Sequence, residues 1–229
     1  MNALLIPIKD PARSKTRLSE LLSAEERARL AWAMFEDVCR AVAACSRADR
    51  VVIVTSFESA ISRARASGWD VLIEESQISE SASVDWASRK LAESGFDAVM
   101  RLPADIPAVR AEDIDALLAI DLARPGVALV PSREGTGTNA IIRTPPDLFP
   151  SQFGPDSLRL HKQEAARVGV ESLVVENARI ALDIDEPSDI ELLLELGRGT
   201  EAFAALARMN VEERMARLKT NISNLKYQI

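Results

Sequence analysis

Four basic residues follow the first apolar run of this chain within nine positions. They lie in the segment IPIKDPARSKTRL and are Lys9, Arg13, Lys15 and Arg17. The whole chain carries a net charge of −7, with 28 Lys and Arg against 35 Asp and Glu, so this cluster is a local exception. Because neighbouring cations repel one another unless an anion neutralises them, a polyphosphate is a candidate ligand. A solvated basic loop is the alternative.

Three aspartates have the type and spacing expected of a divalent-cation site. Asp105 stands in LPADIPAV, where two prolines stiffen the turn that presents it. Asp183 and Asp185, in ALDIDEPSDI, are two positions apart and therefore point to the same face of an extended segment. Since Mg²⁺ prefers one or two carboxylates together with phosphate oxygens, all three are candidate Mg²⁺ ligands. Asp185 has a second interpretation, because a helix is predicted to begin just after it and an aspartate there could cap that helix.

A third group of candidate ligand-binding residues lies between these aspartates. In REGTGTNAII, Gly135 and Gly137 let backbone N–H groups approach an anion, and Thr138 adds a hydroxyl donor. In FGPDSLRLH, Ser157 falls in the first turn of a predicted helix, where unpaired N–H groups favour a phosphate or a carboxylate. The only histidine of the chain, His161, follows on the same helix face. A lone histidine is more often a structural residue than a ligand.

The elements that must position these residues alternate between two types. Short apolar runs rich in β-forming residues occupy residues 3–8, 50–55, 69–74, 97–103, 126–131, 138–144 and 171–176. Segments with helical spacing separate most of them, and Ser23 with Glu26 forms a capping box at the start of the first. This alternation predicts an α/β fold with a mostly parallel sheet flanked by helices. From Gly126 onward the strands are closer together, which indicates an antiparallel insertion or edge. Ligands of such sheets bind at the carboxyl ends of the strands, and we expect Asp105 and Asp183 on adjacent strand ends.

The length of 229 residues predicts one large domain with an appendage. We place the domain at residues 1–199 and a C-terminal helical extension at residues 200–229. Within the extension, Met215 and Leu218 begin an amphipathic stripe. Packing against its own domain is the expected role of this helix, and assembly of a homodimer is the alternative.

Composition excludes several classes of protein. A chain that is 47% hydrophobic and 28% charged is not intrinsically disordered, and its acidic balance argues against a nucleic-acid partner. No run approaches the about 18 apolar residues of a membrane span. The N-terminus lacks the basic start and apolar core of a signal peptide, and the two cysteines are spaced so that they cannot easily pair. We expect a cytoplasmic protein with no membrane partner.

Five segments, taken in order, closely resemble the guanylyltransferases of deazaflavin coenzyme F-420 biosynthesis. They lie between about residues 3 and 196 and are PIKDPARSKTRL, LPADIPAV, GTGTNA, FGPDSLRLH and LDIDEPSDI. The family is that of 2-phospho-L-lactate or phosphoenolpyruvate guanylyltransferases. The resemblance implies a single-domain nucleotidyltransferase fold like that of the nucleotide-diphospho-sugar transferases. It also implies transfer of GMP from GTP to a three-carbon phospho-acid, with release of pyrophosphate. The acid could be phosphoenolpyruvate, 2-phospho-L-lactate or 3-phospho-D-glycerate.

The same resemblance implies roles at the nucleotide for individual residues. Lys9, Lys15 and Arg17 match a basic motif that is expected on the GTP triphosphate, where they would serve catalysis together with Asp105. Asp105 and Asp183 match aspartates that are expected on Mg²⁺.

The resemblance also implies which residues bind the phospho-acid and which lie near the guanine base. Thr138, Gly154 and Ser157 match positions that are expected to hold the phospho-acid. The segment SASVDWAS stands where the family has a Leu-Asn-x-Ala element near the guanine pocket. This segment departs from that pattern, and Ser83 and Asp85 are its candidates for binding the nucleotide.

Two other functions stay open on the sequence. One is a guanylyl- or cytidylyltransferase for a sugar phosphate or the molybdenum cofactor, but such enzymes normally carry a glycine-rich loop after the first strand, which is missing here. The other is a non-catalytic nucleotide-binding regulator. A degenerate fold of that kind is expected to have lost a metal carboxylate, yet Asp105 and Asp183 are both present.

Overall fold

The computed structural model describes residues 1–75 and 78–226, without the side chains of Arg13 and of residues 219–226. Seven strands form one sheet, and each coincides with a run that was predicted from the sequence. In chain order, β1 to β7 are Asn2–Pro7, Arg50–Thr55, Asp70–Ile73, Ala98–Arg101, Gly126–Pro131, Thr138–Thr144 and Ser172–Val174. The α/β fold class is therefore confirmed.

The sheet has the strand order β3-β2-β1-β4-β6-β5-β7. Neighbouring strands are parallel at β3-β2, β2-β1, β1-β4 and β5-β7, whereas β6 runs antiparallel to both β4 and β5. The antiparallel strand is thus an insertion inside the sheet and not an edge. All seven residues of β6 are buried, although Thr138, Asn139, Arg143 and Thr144 are polar or charged.

Eight α-helices accompany the sheet in the described part of the chain. In order, α1 to α8 are Ala24–Ala44, Glu58–Ala66, Glu80–Glu93, Ala111–Leu118, Ser157–Arg167, Pro187–Leu196, Glu201–Arg208 and Val211–Lys226. The capping box at the start of α1 is present, since Ser23 Oγ accepts from the Glu26 N–H and Glu26 accepts from the Ser23 N–H. It fixes where this long helix begins.

Helices cover both faces of the sheet, and β1 shows why its sequence is apolar throughout. Ala3 and Leu5 belong to the apolar cluster that contains α3, whereas Leu4 and Ile6 belong to the cluster that contains α1. All four residues are fully buried. Because alternate residues of a strand face opposite sides, a strand covered on both sides needs apolar residues at every position.

Strand β4 is shorter than the apolar run that predicted it. The Leu102 N–H still donates to the Leu5 carbonyl at 2.9 Å, but Pro103 has no N–H to continue the ladder. Asp105 therefore lies in the turn beyond the strand. This turn is at the carboxyl edge of the sheet, as the position of β4 between β1 and β6 requires.

The C-terminal helices pack on the same chain. Val211 and Met215 of α8 are buried in a cluster with Leu22, which precedes α1. Arg214 donates to both carboxylate oxygens of Glu26, at 2.9 and 2.7 Å. This agrees with the expected packing of the extension against its own domain. Among the described residues, no helix is long and apolar enough to cross a membrane.

We expect Arg214→Gln to lower the melting temperature. The pair with Glu26 is bidentate and also ties α8 to the start of α1, so its loss should lower the melting temperature by a few degrees. Arg217→Gln is the matched control, because the pair that Arg217 makes with Glu213 is exposed. Thermal melts of both variants would check this, and equal melting temperatures would contradict it.

Candidate active site

Two cavities lie side by side at the carboxyl edge of the sheet. The smaller has a volume of about 220 Å³ and the larger about 670 Å³. Their walls share Glu80, Arg101, Pro103 and Asp105. Two cavities that meet at a carboxylate could hold two ligands with their reactive ends in contact.

The basic loop after β1 runs along both cavities. Lys9 is exposed and lines the smaller cavity, and Arg17 is exposed and lines the larger one. Two single-turn 3₁₀ helices shape the loop, Pro11–Arg13 and Thr16–Leu18. Lys15, between these turns, has a left-handed backbone with φ 55°, which turns its side chain inward.

Lys15 is held between two of the predicted aspartates. Its side chain is 7% exposed, and its Nζ donates to Asp105 Oδ2 at 2.6 Å and to Asp185 Oδ1 at 2.7 Å. Burial alone would lower the pKa of Lys15, but the two carboxylates outweigh it and hold the pKa above its usual value. Burial would likewise raise the pKa of Asp105, but Lys15 holds it below its usual range. Lys15 and Asp105 are therefore both charged at neutral pH.

The segment that carries Asp183 and Asp185 is extended but lies outside the sheet. Leu182 and Ile184 are buried and alternate with the two aspartates, so both carboxylates point to the same side, as predicted. The expectation of adjacent strand ends is wrong, because β7 is separated from β4 by β5 and β6. Instead, the segment returns across the sheet edge, where the Ile184 N–H donates to the Asp105 carbonyl at 3.2 Å.

Asp183 faces the larger cavity together with Asp105. The side-chain amide of Asn139 donates to Asp183 Oδ1 at 2.9 Å and so orients this carboxylate. Burial, and then the negative charge of Asp105, raise the pKa of Asp183 to about 6. The side chain of Asp185 binds Lys15, so it serves this site and does not cap α6.

The two carboxylates Asp105 and Asp183 have the chemistry of a divalent-cation site. No group of three or more acidic, histidine or cysteine side chains is arranged to hold a metal within the ranges that the structure describes. Mg²⁺ needs only one or two protein carboxylates when phosphate oxygens supply further ligands. A cation there would also offset the repulsion that raises the pKa of Asp183. The residues therefore fit Mg²⁺.

Thr138, Gly154 and Ser157 all line the larger cavity. The Thr138 N–H donates to Ser157 Oγ at 2.8 Å, which ties the start of β6 to the start of α5. Gly154 has φ 127°, a backbone conformation that favours glycine. The structure thus brings together the three residues that the sequence suggested for one ligand.

The structure places the two candidate nucleotide-binding residues of the SASVDWAS segment in different surroundings. Ser83 is buried and lines the smaller cavity. Asp85, two residues further along α3, is not among the residues that line either cavity. Its carboxylate accepts from the Ser151 N–H at 2.9 Å and pairs with the buried Arg143 at 3.4 Å. A buried guanidinium needs such a partner, so this position of Asp85 argues against nucleotide binding.

Sequence reasoning missed Arg101, the last residue of β4. Its side chain is 6% exposed, donates to the Asn139 carbonyl at 2.7 Å and pairs with Glu80. Its guanidinium lies 4.3 Å from the ring centroid of Phe153. Arg101 lines both cavities, so it is placed where two ligands would meet. The signal in the sequence was an arginine inside an apolar strand run.

The fold is of the nucleotide-diphospho-sugar transferase type. A solved structure from Desulfovibrio desulfuricans G20, assigned as a nucleotide-diphospho-sugar transferase, superposes with a TM-score of 0.76 at 19% identity, covering 93% of this chain and 97% of the other. The model of the family described as "Guanylyl transferase CofC like" matches residues 2–224, and the chain belongs to that family.

Two curated relatives agree with this assignment. A 3-phospho-D-glycerate guanylyltransferase of Colwellia psychrerythraea is 34% identical over 190 residues, 83% of this chain and 90% of the relative. A phosphoenolpyruvate guanylyltransferase of Rubrobacter xylanophilus is 32% identical over 189 residues, 82% of this chain and 91% of the relative. The protein is therefore an enzyme, a guanylyltransferase, and not a non-catalytic regulator.

Proposed function

We propose that this protein transfers GMP from GTP to a phosphorylated three-carbon acid and releases pyrophosphate, as a step of coenzyme F-420 biosynthesis in the cytoplasm. The acceptor is phosphoenolpyruvate, 2-phospho-L-lactate or 3-phospho-D-glycerate. The observation that carries the proposal is the pair of cavities that meet at Asp105. One is bordered by lysines and the other by hydroxyl donors.

The nucleotide is assigned to the smaller cavity. Lys9 and Ser83 line it, and Lys15 stands where it meets the larger cavity. The triphosphate would lie against the basic loop, with Lys15 at the junction where the α-phosphate must meet the acceptor. The excess of positive charge on this loop matches the charge of a triphosphate in an otherwise acidic protein.

The acceptor is assigned to the larger cavity. Thr138 and Ser157 offer hydroxyl groups, and Gly154 leaves space for close approach of a ligand to the backbone. Ser157 is the first residue of α5, where the positive end of the helix dipole attracts a phosphate or a carboxylate. Arg101 lies on the same wall and adds a cation for an acceptor with two acidic groups.

Mg²⁺ is part of the proposal, held by Asp105 and Asp183. When bound, it would offset charge on the phosphates of both substrates. Asp185 is assigned a different role, because both of its carboxylate oxygens face cations, Oδ1 towards Lys15 at 2.7 Å and Oδ2 towards Arg17 at 3.8 Å, whereas Lys15 binds Asp105 through Oδ2. It fixes the position of the lysine and leaves the other two carboxylates for the cation.

The reaction needs positioning more than proton transfer. A phosphate oxygen of the acceptor, already ionised at neutral pH, attacks the α-phosphorus of GTP and forms a new P–O bond. The bond from the α-phosphorus to the bridging oxygen breaks, and pyrophosphate leaves with that electron pair. No general base is required. Lys15 stabilises the charge that develops, while the two cavities hold the reacting phosphates in contact.

Pyrophosphate release tests this function directly. GTP, ATP, CTP and UTP are each supplied at equal concentration with each of the three acids and Mg²⁺. We expect release with GTP and at least one acid, and none when the acid is omitted. A preference for another nucleotide, or activity only with a sugar phosphate, would contradict the proposal. Omission of Mg²⁺ with a chelator tests the cofactor.

Ser157→Ala should raise the KM of the phospho-acid more than the KM of GTP. A hydrogen bond to a charged group contributes about 1.5–3 kcal/mol, so kcat/KM for the acid should fall roughly ten-fold to over a hundred-fold. Ser62→Ala is the matched control, because Ser62 is exposed on α2. Steady-state kinetics with each substrate varied in turn provides the measurement. An equal effect on both substrates would argue against the assigned acceptor site.

A further inference from the structure

His161 is fully buried, and both of its ring nitrogens have partners. The Gln152 N–H donates to His161 Nε2 at 2.8 Å. A backbone N–H can only donate, so Nε2 must carry a lone pair. The other nitrogen, Nδ1, lies 3.0 Å from Thr138 Oγ1. In a neutral ring the proton is then on Nδ1, and it is donated to the threonine hydroxyl.

This arrangement decides what the two hydroxyl groups of the acceptor site can do. Thr138 Oγ1 accepts from His161, so its own proton is available to another acceptor. Ser157 Oγ accepts from the Thr138 N–H, so its proton is available as well. Both hydroxyls line the larger cavity as donors, which suits an anion.

We propose that His161 is a positioning residue for the acceptor: its Nδ1–H holds the Thr138 hydroxyl so that the hydroxyl proton points at an anionic oxygen of the phospho-acid. The proposal rests on the proposed function for the place of the acceptor. It assigns to the histidine a role that acts through Thr138 and needs no contact with the substrate.

The surroundings of the ring keep it neutral and fixed. Burial, and then the positive charges of Arg143 and Arg101, lower the pKa of His161 to about 3. The ring therefore does not serve as a cation for the phosphate at neutral pH. Phe153 packs edge-on against it with ring centroids 5.0 Å apart, and Phe149 lies at 6.4 Å. A ring clamped in this way keeps one orientation.

Two substitutions of His161 test the roles of its two ring nitrogens separately. The amide nitrogen of His161→Asn falls near the place of Nδ1, so this variant can still donate to Thr138. His161→Gln places its amide near Nε2, so it keeps a partner for Gln152 and loses the donor. We expect His161→Gln to raise the KM of the phospho-acid roughly ten-fold, with the KM of GTP changed by less than about two-fold. His161→Asn should stay within about three-fold of wild type for both substrates.

A double-mutant cycle with Thr138→Val tests whether the histidine acts through the hydroxyl. Valine keeps the shape of threonine and removes the hydroxyl group. In the Thr138→Val background, His161→Gln should change the KM of the acid by less than about two-fold, because the group that it orients is gone. The same factor in both backgrounds would overturn the proposal, as would equal changes in the KM of both substrates.

A spectroscopic measurement does not depend on activity. His161 is the only histidine of the chain, so ¹⁵N-labelled protein gives a single imidazole to assign. At pH 7.5 we expect a neutral ring protonated on Nδ1, and protonation on Nε2 would overturn the proposal. Failure of the proposed function is distinct from this outcome, because it would appear as a wild-type enzyme that releases no pyrophosphate with any of the three acids.

Discussion

Replacing Lys15 with methionine should lower kcat/KM for GTP by about a hundred- to a thousand-fold, the range for a lost preorganised electrostatic contact. Methionine keeps an unbranched apolar stem and removes the ammonium group. That group is 2.6 Å from Asp105 and 2.7 Å from Asp185, at the junction of the two cavities. Without it, two carboxylates face the incoming triphosphate uncompensated, and repulsion adds to the lost attraction.

The same substitution should also lower stability. Removing one partner of a largely buried ion pair leaves the other charge without compensation, and the partial exposure of both aspartates limits the cost to about 1–3 kcal/mol. Lys162→Met is the matched control, because Lys162 is exposed on α5 away from both cavities. Kinetics and thermal melts of the two variants provide the test. Near-normal kcat/KM in folded Lys15→Met would remove this lysine from the proposed mechanism.

Much of the fold could be predicted from the sequence, because it depends on local patterns. The run of β1 is apolar at successive positions, and the sheet buries both of its faces. Ser23 and Glu26 predicted where α1 begins, since a capping box is a contact between residues three apart. The end of β4 was less predictable. Apolar character continues beyond Arg101, but Pro103 cannot donate to the ladder.

The path of the chain around the site could not be predicted in the same way. Asp105 and Asp183 are brought together by a segment that leaves β7 and crosses the ends of β5 and β6. No pattern within a window of sequence encodes such a crossing. The sequence did predict one site for both aspartates, because carboxylates that follow strands at the same edge of a sheet can share a divalent cation.

Charge clusters were harder still to interpret from sequence. Lys15 looked like one of four equivalent cations, yet its side chain is buried between two carboxylates, whereas Arg17 pairs with Asp185 and Glu186 from an exposed position. Asp85 and Arg143 are 58 residues apart and form a buried pair that serves packing. Pairing of this kind depends on tertiary contacts, so neither partner reveals the other in the sequence.

Asp105→Asn and Asp183→Asn should each lower turnover by at least about a hundred-fold, an effect of about 3 kcal/mol. Asparagine keeps the size and the hydrogen-bonding capacity of each side chain and removes the charge that the proposed Mg²⁺ site needs. Turnover should be measured against Mg²⁺ concentration for both variants and for wild type. Near-normal turnover in either folded variant would exclude that residue from the metal site.

In metal-free protein the two variants should differ in the sign of their effect on stability. Burial and the charge of Asp105 raise the pKa of Asp183 to about 6, so the folded state favours the protonated carboxyl. The stability that this group contributes is full below about pH 4 and is lost as the pH rises through 6. At pH 7.5, Asp183→Asn removes an unfavourable charge and should raise the melting temperature by a few degrees.

The charge of Asp105 has the opposite effect on stability, because the attraction of Lys15 outweighs burial and lowers the pKa of Asp105. The stability that ionised Asp105 contributes is present above the ordinary pKa of an aspartate, and it is lost only as the pH falls below that pKa. At pH 7.5, Asp105→Asn therefore loses a favourable charge and should melt below wild type. Thermal melts should be recorded in a chelator from pH 7.5 to pH 4. The difference in melting temperature between Asp183→Asn and wild type should become smaller below pH 6. If the melting temperatures of both variants shifted in the same direction at pH 7.5, Lys15 would not stabilise the charge of Asp105 more than that of Asp183. The charge arrangement proposed for this site would then be wrong.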